Sequence, residues 1–297
     1  MTTAAKQLST MRQLGALLGL LWSGRPRFGR RSMVNVVAAS DIGMVRGNNE
    51  DYFLVADLGR PAMTTHGNDA LGNLISEQPV LIVADGMGGA AGGEMASGLA
   101  ATVIWSHLAQ AARDRGLRTA VSLRRALAAA FRAANERIRA CAVTSPELAG
   151  MGTTATSAVF LRDELHVGHV GDSRLYLVRD GRAQRLTKDH SVRQYLIDTG
   201  AVSEADAPDE RSHALLRALG PQPDVVVEIS RTRLRHGDVV VLCSDGVWSS
   251  LADHEIAEVV RRRPEPRAAC ETLLRLASER GGRDNATAVV AQFDATT

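Results

Sequence analysis

Acidic residues recur where the predicted strands of this 297-residue chain end. They are Asp41, Glu50, Asp51, Asp85, Asp172, Asp245 and Asp284. A carboxylate on a strand end with a glycine after it, as in Asp85-Gly86 and Asp245-Gly246, can turn into a cleft and leave a backbone carbonyl accessible, which suits hard divalent cations. A single Asp-Gly pair is usually a plain turn. Carboxylates that are brought together, however, repel one another unless a cation or a proton lies between them. The pattern therefore predicts a divalent-cation site.

Histidine and nucleophile chemistry has weaker support in the sequence. His166 and His169 are three residues apart on a predicted strand, so their side chains point to opposite faces and cannot share a metal. Other histidines show no partner in the sequence, namely His190, His213 and His254. A serine hydrolase would need a GxSxG pentapeptide, and none occurs. The run GMGGAAGG at 86–93 lacks the Lys-Ser/Thr of a phosphate-binding P-loop, so we interpret it as a tight approach between a strand end and the following helix.

Short β-branched runs and long helical blocks must carry these residues. Strands are predicted at 34–39, 52–57, 80–84, 154–161, 165–170, 175–179, 183–186, 225–230, 239–243 and 286–292. Helices are predicted at about 92–115, 120–143, 253–262 and 267–280. Arg-Asp-Gly-Arg at 179–182 predicts a type I′ hairpin. The stretches 59–79 and 188–224 are predicted to be irregular, the second with one short helix that ends at Gly200. Without a regular βαβ alternation, the pattern favours an α+β fold in one domain.

The charge is distributed unevenly along the chain. The first 40 residues hold six basic and no acidic side chains, so the remainder holds 29 basic and 33 acidic ones. A nucleic-acid groove across this slightly acidic body is therefore disfavoured. Residues 1–33 are predicted to be a flexible basic tail, with a weak membrane-surface anchor as the less favoured alternative, because the apolar run 14–22 is too short to span a bilayer. Three widely spaced cysteines without a CxxC motif indicate a reducing, cytoplasmic setting.

Six segments in order resemble the motif set of the metal-dependent serine/threonine protein phosphatases, the PPM or type 2C family, in its bacterial form. They are SDIGMVRGNNEDYF at 40–53, VADGMGGAAGGEMAS at 83–97, GMGTTATSAVF at 150–160, VGHVGDSRLYLVRDGRAQRLTKDHS at 167–191, VVLCSDGVWSSL at 240–251 and GGRDNATAVV at 281–290. The resemblance implies a four-layer α-β-β-α sandwich, with two antiparallel sheets flanked by helices, over residues 34–297. It also implies hydrolysis of phosphoserine and phosphothreonine by a water that two Mn²⁺ or Mg²⁺ ions activate, without a phosphoenzyme.

Matching the motifs residue by residue assigns expected roles. Asp85 should bridge both ions, with Glu50 and the Gly86 carbonyl on one ion. Asp245 and Asp284 should bind the other ion. Asp51 should steady metal-bound water, and Arg46 should hold the phosphate, because a guanidinium pairs with phosphate through two hydrogen bonds. The segment 188–224 corresponds to the variable flap of the family. Phosphorylated proteins are the expected substrates, with a cognate serine/threonine kinase system as a partner.

The sequence departs from the family pattern in two places. Eukaryotic members have a histidine, proposed to protonate the leaving group, where this chain has Met87. The acidic residues expected for a third metal are replaced by Ala149, Gly150 and Ser249, so a third site is doubtful. Asp172 is expected to be a structural carboxylate that binds turn amides. A catalytically silent relative that acts as a binding module is the alternative function, although it gives no physical reason to keep so many repelling carboxylates.

Overall fold

A computed structural model of the chain describes residues 32–65, 72–88, 90–203, 206 and 214–295. The tail predicted for residues 1–33 falls outside these ranges, apart from Ser32 and Met33, which begin the first strand. Within the described part of the chain, every helix is too short or too polar to cross a bilayer.

The described strands and helices occur in the following order. The strands are β1 (Ser32–Asp41), β2 (Asp51–Asp57), β3 (Arg60–Thr65), β4 (Gly72–Ser76), β5 (Pro79–Met87), β6 (Gly152–Thr153), β7 (Ala155–Leu161), β8 (Glu164–Val170), β9 (Arg174–Arg179), β10 (Arg182–Arg185), β11 (Glu228–Arg233), β12 (Val239–Cys243) and β13 (Ala286–Ala295). The helices are α1 (Ala90–Arg115), α2 (Ala120–Thr144), α3 (Val192–Asp198), α4 (Asp245–Trp248), α5 (Asp253–Arg262) and α6 (Pro266–Glu279), with a 3₁₀ turn at Pro146–Leu148.

The strands form two antiparallel sheets. One sheet has the order β10-β9-β12-β13-β1-β4, and the other has the order β11-β8-β7-β5-β2-β3 with β6 paired to β5. Helices α1 and α2 pack on the outer face of the second sheet, and α5 and α6 pack on the outer face of the first. The predicted α+β class and the α-β-β-α sandwich are thus confirmed.

Apolar side chains between the two sheets hold them together. Fully buried members of this layer include Phe53, Leu81, Phe160, Leu177 and Phe293. Burial of each such side chain stabilises the fold by about 1.5–3 kcal/mol. Because this layer fixes the two sheets face to face, the strand ends of both sheets meet at a common edge.

Several local predictions are confirmed and others are wrong. Asp180 and Gly181 both have positive φ values (51° and 72°), as the type I′ hairpin between β9 and β10 requires. The stretch 59–79 is not irregular, because it contributes β3 and β4. The strand predicted at 225–230 begins later, at Glu228. Asp245, expected at the end of a strand, is the first residue of the short helix α4, which follows β12.

Candidate functional site

A cavity of about 170 Å³ lies where the ends of the two sheets meet. Its lining residues are Arg46, Glu50, Asp85, Gly86, Met87, Thr154, Asp172, Leu215, Asp245, Asp284 and Asn285. Of the site residues predicted from the sequence, only Asp51 is missing from this lining. The carboxylates come from both sheets, so the stacking of the two sheets creates the site.

Asp85 is held rigidly at the floor of the cavity. Its backbone N–H donates to Thr154 Oγ1 (2.9 Å), and its carbonyl accepts from Thr154 N (2.9 Å) and from Thr153 Oγ1 (2.8 Å). Burial raises the pKa of the Asp85 carboxyl well above its usual range, and the charge of Asp245 raises it further. Contacts between the end of β5 and residues 153–154 therefore fix a carboxylate in a place where its negative charge is unfavourable.

Glycines let the acidic loop and helix α1 approach β5 closely. A Cβ atom on Gly86 would overlap the carbonyl oxygen of Gly93, and one on Gly93 would overlap Glu50 Oε2. The Glu50 carbonyl also accepts from Gly86 N (3.2 Å) and from Ser97 Oγ (2.6 Å). The glycine-rich run thus allows the strand end and the following helix to pack closely, as predicted, and it places Glu50 beside Asp85.

Asp51 lies opposite Asp85 in the β2–β5 register and is buried behind the cavity. Its Oδ2 accepts from Ser244 Oγ (2.6 Å) and from Thr287 Oγ1 (2.7 Å). Burial raises the pKa of Asp51 to about 8, although both hydroxyls favour the ionised form. Its Oδ1 has no hydrogen-bond partner among the described residues. This buried oxygen therefore lacks the compensation that buried charge normally needs.

Arg46 is the basic residue of the cavity lining. Its Nη2 lies 2.7 Å from Asp284 Oδ2, and the two side chains are 52% and 33% exposed. An ion pair this exposed contributes only about 0.2–1 kcal/mol, so it can be exchanged for another partner at low cost. The guanidinium is therefore available to an anion that enters the cavity.

Asn285 fastens the loop that carries Arg46 and Glu50. Its Oδ1 accepts from Glu50 N (2.8 Å), and its Nδ2 donates to the carbonyls of Ile42 and Asn48 (2.9 Å each). The side chain is 5% exposed. The side-chain amide of Asn285, directly before β13, thus fixes the position of this loop. No pattern in the sequence predicts this role.

We expect Asn285→Ala to lower the free energy of unfolding by about 1–3 kcal/mol, because three partly buried backbone groups lose their partner. The loosened loop should also weaken Mn²⁺ binding, which titration calorimetry can measure. A matched control is Asn135→Ala, since Asn135 is equally buried and binds Gly220 N and the carbonyls of Gln222 and Pro223. The control should lose comparable stability but keep its Mn²⁺ affinity. Equal Mn²⁺ affinities for both variants would contradict the assigned role of Asn285.

The base of the flap is tied to the Gly171–Asp172 turn by two histidines. His190 Nδ1 accepts from Gly171 N (3.1 Å), and its Nε2 faces Glu228 Oε2 (3.3 Å). Its ring centroid is 4.7 Å from that of His169, whose pKa burial lowers to about 4. His190 thus has partners in the structure that were not visible in the sequence. His213, also considered without a partner, lies outside the described residues. The turn places Asp172 in the cavity wall, beyond the structural role expected for it.

The donor set fits hard divalent cations. It consists of carboxylates and a backbone carbonyl, the oxygen ligands that Mg²⁺ and Mn²⁺ prefer. The raised pKa of Asp85 and the unpartnered Oδ1 of Asp51 both mark uncompensated negative charge that cations would offset. In the described ranges, no group of three or more His, Cys, Asp or Glu side chains lies in an arrangement that could hold a metal ion as it stands. The donor chemistry and charge of the lining residues nevertheless fit divalent cations, and the Asp284 carboxylate is paired with Arg46.

Comparison with known proteins gives concordant results. A sequence model of the family described as Protein phosphatase 2C matches residues 64–285. The chain is 34% identical over 259 residues to the serine/threonine protein phosphatase PstP of Mycobacterium tuberculosis, covering 87% of this chain and 45% of PstP. It is 30% identical over 261 residues to the serine/threonine phosphatase stp of Listeria monocytogenes, covering 86% of this chain and 95% of stp. The chain thus spans less than half of PstP but nearly all of stp.

A solved structure extends the similarity to the fold. The crystal structure of the catalytic domain of PstP in complex with two manganese ions superposes with a TM-score of 0.70 at 35% identity. The match covers 89% of this chain and 99% of that domain. The fold is therefore shared with a catalytic domain whose structure contains two manganese ions.

Proposed function

This chain belongs to the protein phosphatase 2C family, and from that premise we propose that it is a metal-dependent phosphatase that hydrolyses phosphoserine and phosphothreonine in proteins. The observation that carries the proposal is the cavity itself, which combines several carboxylates with one exchangeable arginine. Carboxylates alone would repel a phosphate ester. Together with two divalent cations they would form a site for a dianionic group.

The lining residues divide into two ligand groups. Asp85 would be shared by the two ions, Glu50 and the Gly86 carbonyl would hold one ion, and Asp245 and Asp284 would hold the other. Asp51, which is buried next to Asp85 in the β2–β5 pair, would steady metal-bound water. When bound, two Mn²⁺ or Mg²⁺ ions supply an acidified water as nucleophile and offset the charge of the phosphate. We infer two ions and a weak or missing third site, because Ala149, Gly150 and Ser249 offer no carboxylate.

Arg46 binds and orients the phosphate. Its planar guanidinium can make two parallel hydrogen bonds to phosphate oxygens. The side chain is half exposed and already contacts one anionic group, Asp284, so it reaches the cavity without rearrangement of the fold. Arg46 thus orients the ester for in-line attack and stabilises charge that develops on its oxygens.

Met87 lines the cavity at the end of β5. A thioether carries no proton that it could donate to a leaving alkoxide. Protonation of the leaving group therefore falls to water or to another group of the site, and the residue at position 87 only shapes the apolar side of the cavity.

Phosphorylated proteins are the proposed substrates, and a serine/threonine kinase system that produces them is the proposed partner. The cysteines, Cys141, Cys243 and Cys270, are all free thiols, which supports a reducing, cytoplasmic location. If the protein were instead a catalytically silent binding module, the clustered carboxylates would destabilise the fold without contributing to a function.

The direct test measures phosphate release from a phosphothreonine peptide and from a small aryl phosphate, with Mn²⁺, with Mg²⁺ and with EDTA. We expect hydrolysis with either cation and none above background with EDTA. The matched control is the protein with Arg125→Gln, a change on the exposed face of α2. If no divalent cation supports hydrolysis of either substrate, the enzyme assignment is wrong and the binding-module alternative replaces it.

A further inference from the structure

A second groove, of about 320 Å³, adjoins the central cavity. Its lining residues are Asp245, Gly246, Ser249, Ser250, Arg280, Arg283 and Asp284. Asp245 and Asp284 line both spaces, so the groove is continuous with the cavity. Its volume equals that of about ten water molecules, enough for an extended side chain.

The two arginines of this groove differ in the hydrogen bonds and ion pairs that they make. Arg280 donates to the Ser250 carbonyl (2.7 Å) and pairs with Glu255 (2.7 Å), so it ties the end of α6 to the segment after α4. Arg283 is exposed and makes no hydrogen bond or ion pair with any residue that the structure describes. The Arg280 side of the groove is thus held in place by these contacts. The Arg283 guanidinium, at the edge of the groove, is unpaired among the described residues.

We propose that this groove binds an acidic or phosphorylated side chain of the substrate protein, close in sequence to the phosphoresidue that is hydrolysed. The inference rests on the proposed phosphatase function and adds a preference to it. Arg283 would be the residue that determines this preference, and Ser249 and Ser250 would supply hydroxyl donors for the same anion.

The position of Arg283 fits such a role. It precedes Asp284, which pairs with Arg46, and consecutive Cα atoms are about 3.8 Å apart. A substrate whose phosphate is held at Arg46 therefore has neighbouring residues within reach of Arg283, since extended peptide advances by only about 3.3 Å per residue. Asn285 anchors this part of the chain, so the guanidinium projects from a fixed backbone.

Charge supports an anionic occupant. In the central cavity, Asp245 and Asp284 are assigned to cations, and in the groove Arg280 is balanced by Glu255. Ser249 and Ser250 are neutral, so when Asp245 and Asp284 hold cations, the Arg283 charge has no counterpart on the groove lining. A carboxylate or phosphate of the substrate would complete this arrangement.

The test uses phosphothreonine peptides that carry a single Glu at each position from −3 to +3, each paired with a Gln peptide as a neutral reference. We expect kcat/KM to rise by about fivefold for Glu over Gln at one or two positions, the upper range for an exposed ion pair. Arg283→Gln should bring that ratio to about one. Arg283→Glu should reverse it and favour a peptide with Lys at the same position, whereas Arg125→Gln should leave the ratio as in the wild type.

A binding measurement separates failure of this inference from failure of the proposed function. Fluorescence anisotropy with labelled Glu and Gln peptides reports selectivity without turnover. Selective binding that depends on Arg283 would support the groove assignment even if no hydrolysis occurred. Hydrolysis of all peptides with a Glu/Gln ratio near one would overturn it and leave the phosphatase function intact. An equal loss for Glu and Gln peptides in Arg283→Gln would also overturn it, because it would mean that Arg283 acts through the fold.

Discussion

Asp85→Asn should abolish Mn²⁺-dependent hydrolysis, with kcat lower by at least about 10³-fold, the several kcal/mol that metal-ion catalysis supplies. Asp85 is the one carboxylate assigned to both ions, so its replacement by a neutral amide weakens both positions together. The backbone contacts to Thr153 and Thr154 do not involve the side chain, so the variant should keep its fold. Calorimetric Mn²⁺ titration and phosphate release from a phosphothreonine peptide measure the two losses.

The same substitution should stabilise the metal-free protein. Burial and neighbouring carboxylates make ionised Asp85 unfavourable, and an amide of the same shape removes that charge. We expect the free energy of unfolding in EDTA to be higher for the variant than for the wild type, and the difference to grow as the pH rises, because the proton that Asp85 binds in the folded wild type is harder to supply at high pH. Added Mn²⁺ should stabilise the wild type, because it binds the native state, and should stabilise the variant much less.

The pH dependence of the metal-free protein follows from the same charges. The pKa of Asp51 is raised from 3.8 to about 8 by burial, so the folded state binds its proton more tightly than the unfolded state. This contribution to stability is fully present below pH 3.8 and is lost as the pH rises through about 8. Urea unfolding in EDTA at several pH values should show this decline, and Asp85→Asn should make it shallower because the raised pKa of Asp85 contributes to the same decline in the wild type.

Asp57→Asn is the matched control for these measurements. Asp57 is also a buried carboxylate of β2, but it lies six residues, or about 20 Å, from Asp51 and holds a turn. It accepts from Gly59 N, Arg60 N and Ser76 Oγ, so its replacement should destabilise the protein by about 1–2 kcal/mol. Stabilisation by Mn²⁺ should remain. If Asp85→Asn instead lowered stability in EDTA as Asp57→Asn does, the electrostatic conflict assigned to the site would be wrong.

The elements that the sequence predicted well are those whose own pattern decides their structure. Helix α5 begins and ends at the predicted residues because an acidic first turn and a basic last turn frame a short amphipathic run. Strands β3 and β4 were missed for the opposite reason. Each lies at the edge of a sheet, where pairing with one neighbour forms the strand and where a proline such as Pro61 is tolerated.

For the candidate site, the residues with chemically active side chains were easier to predict than the residues that hold them in place. The carboxylates and Arg46 could be named because their chemistry is visible in the sequence. Asn285, Thr154 and Ser244 act through hydrogen bonds between segments far apart in the chain, and no local pattern marks such contacts. The pairing of His169 with His190 depends in the same way on how the flap returns to the turn after β8.

Arg46→Gln should differ from Asp85→Asn, because it should lower catalytic activity without lowering Mn²⁺ affinity. We expect kcat/KM for a phosphothreonine peptide to fall by about 10²-fold, typical for removal of one group that stabilises transition-state charge. Arg46→Lys should recover only part of this loss, because an ammonium keeps the charge but cannot make the two parallel hydrogen bonds. Steady-state kinetics of the three proteins at saturating Mn²⁺ measure both steps.

Mn²⁺ affinity distinguishes a role of Arg46 in phosphate binding from a role in ordering the metal ligands. Arg46 pairs with Asp284 Oδ2 in the metal-free protein, so it competes with a cation for that oxygen and repels the cation as well. Removal of the guanidinium should therefore leave Mn²⁺ affinity unchanged or raise it by up to about fivefold, the range of an exposed ion pair. Weaker Mn²⁺ binding in Arg46→Gln would show that the arginine orders the metal ligands instead of binding phosphate. Tighter binding together with a lost kcat/KM can arise only if Arg46 acts on the substrate, because the ligands then remain competent while hydrolysis fails.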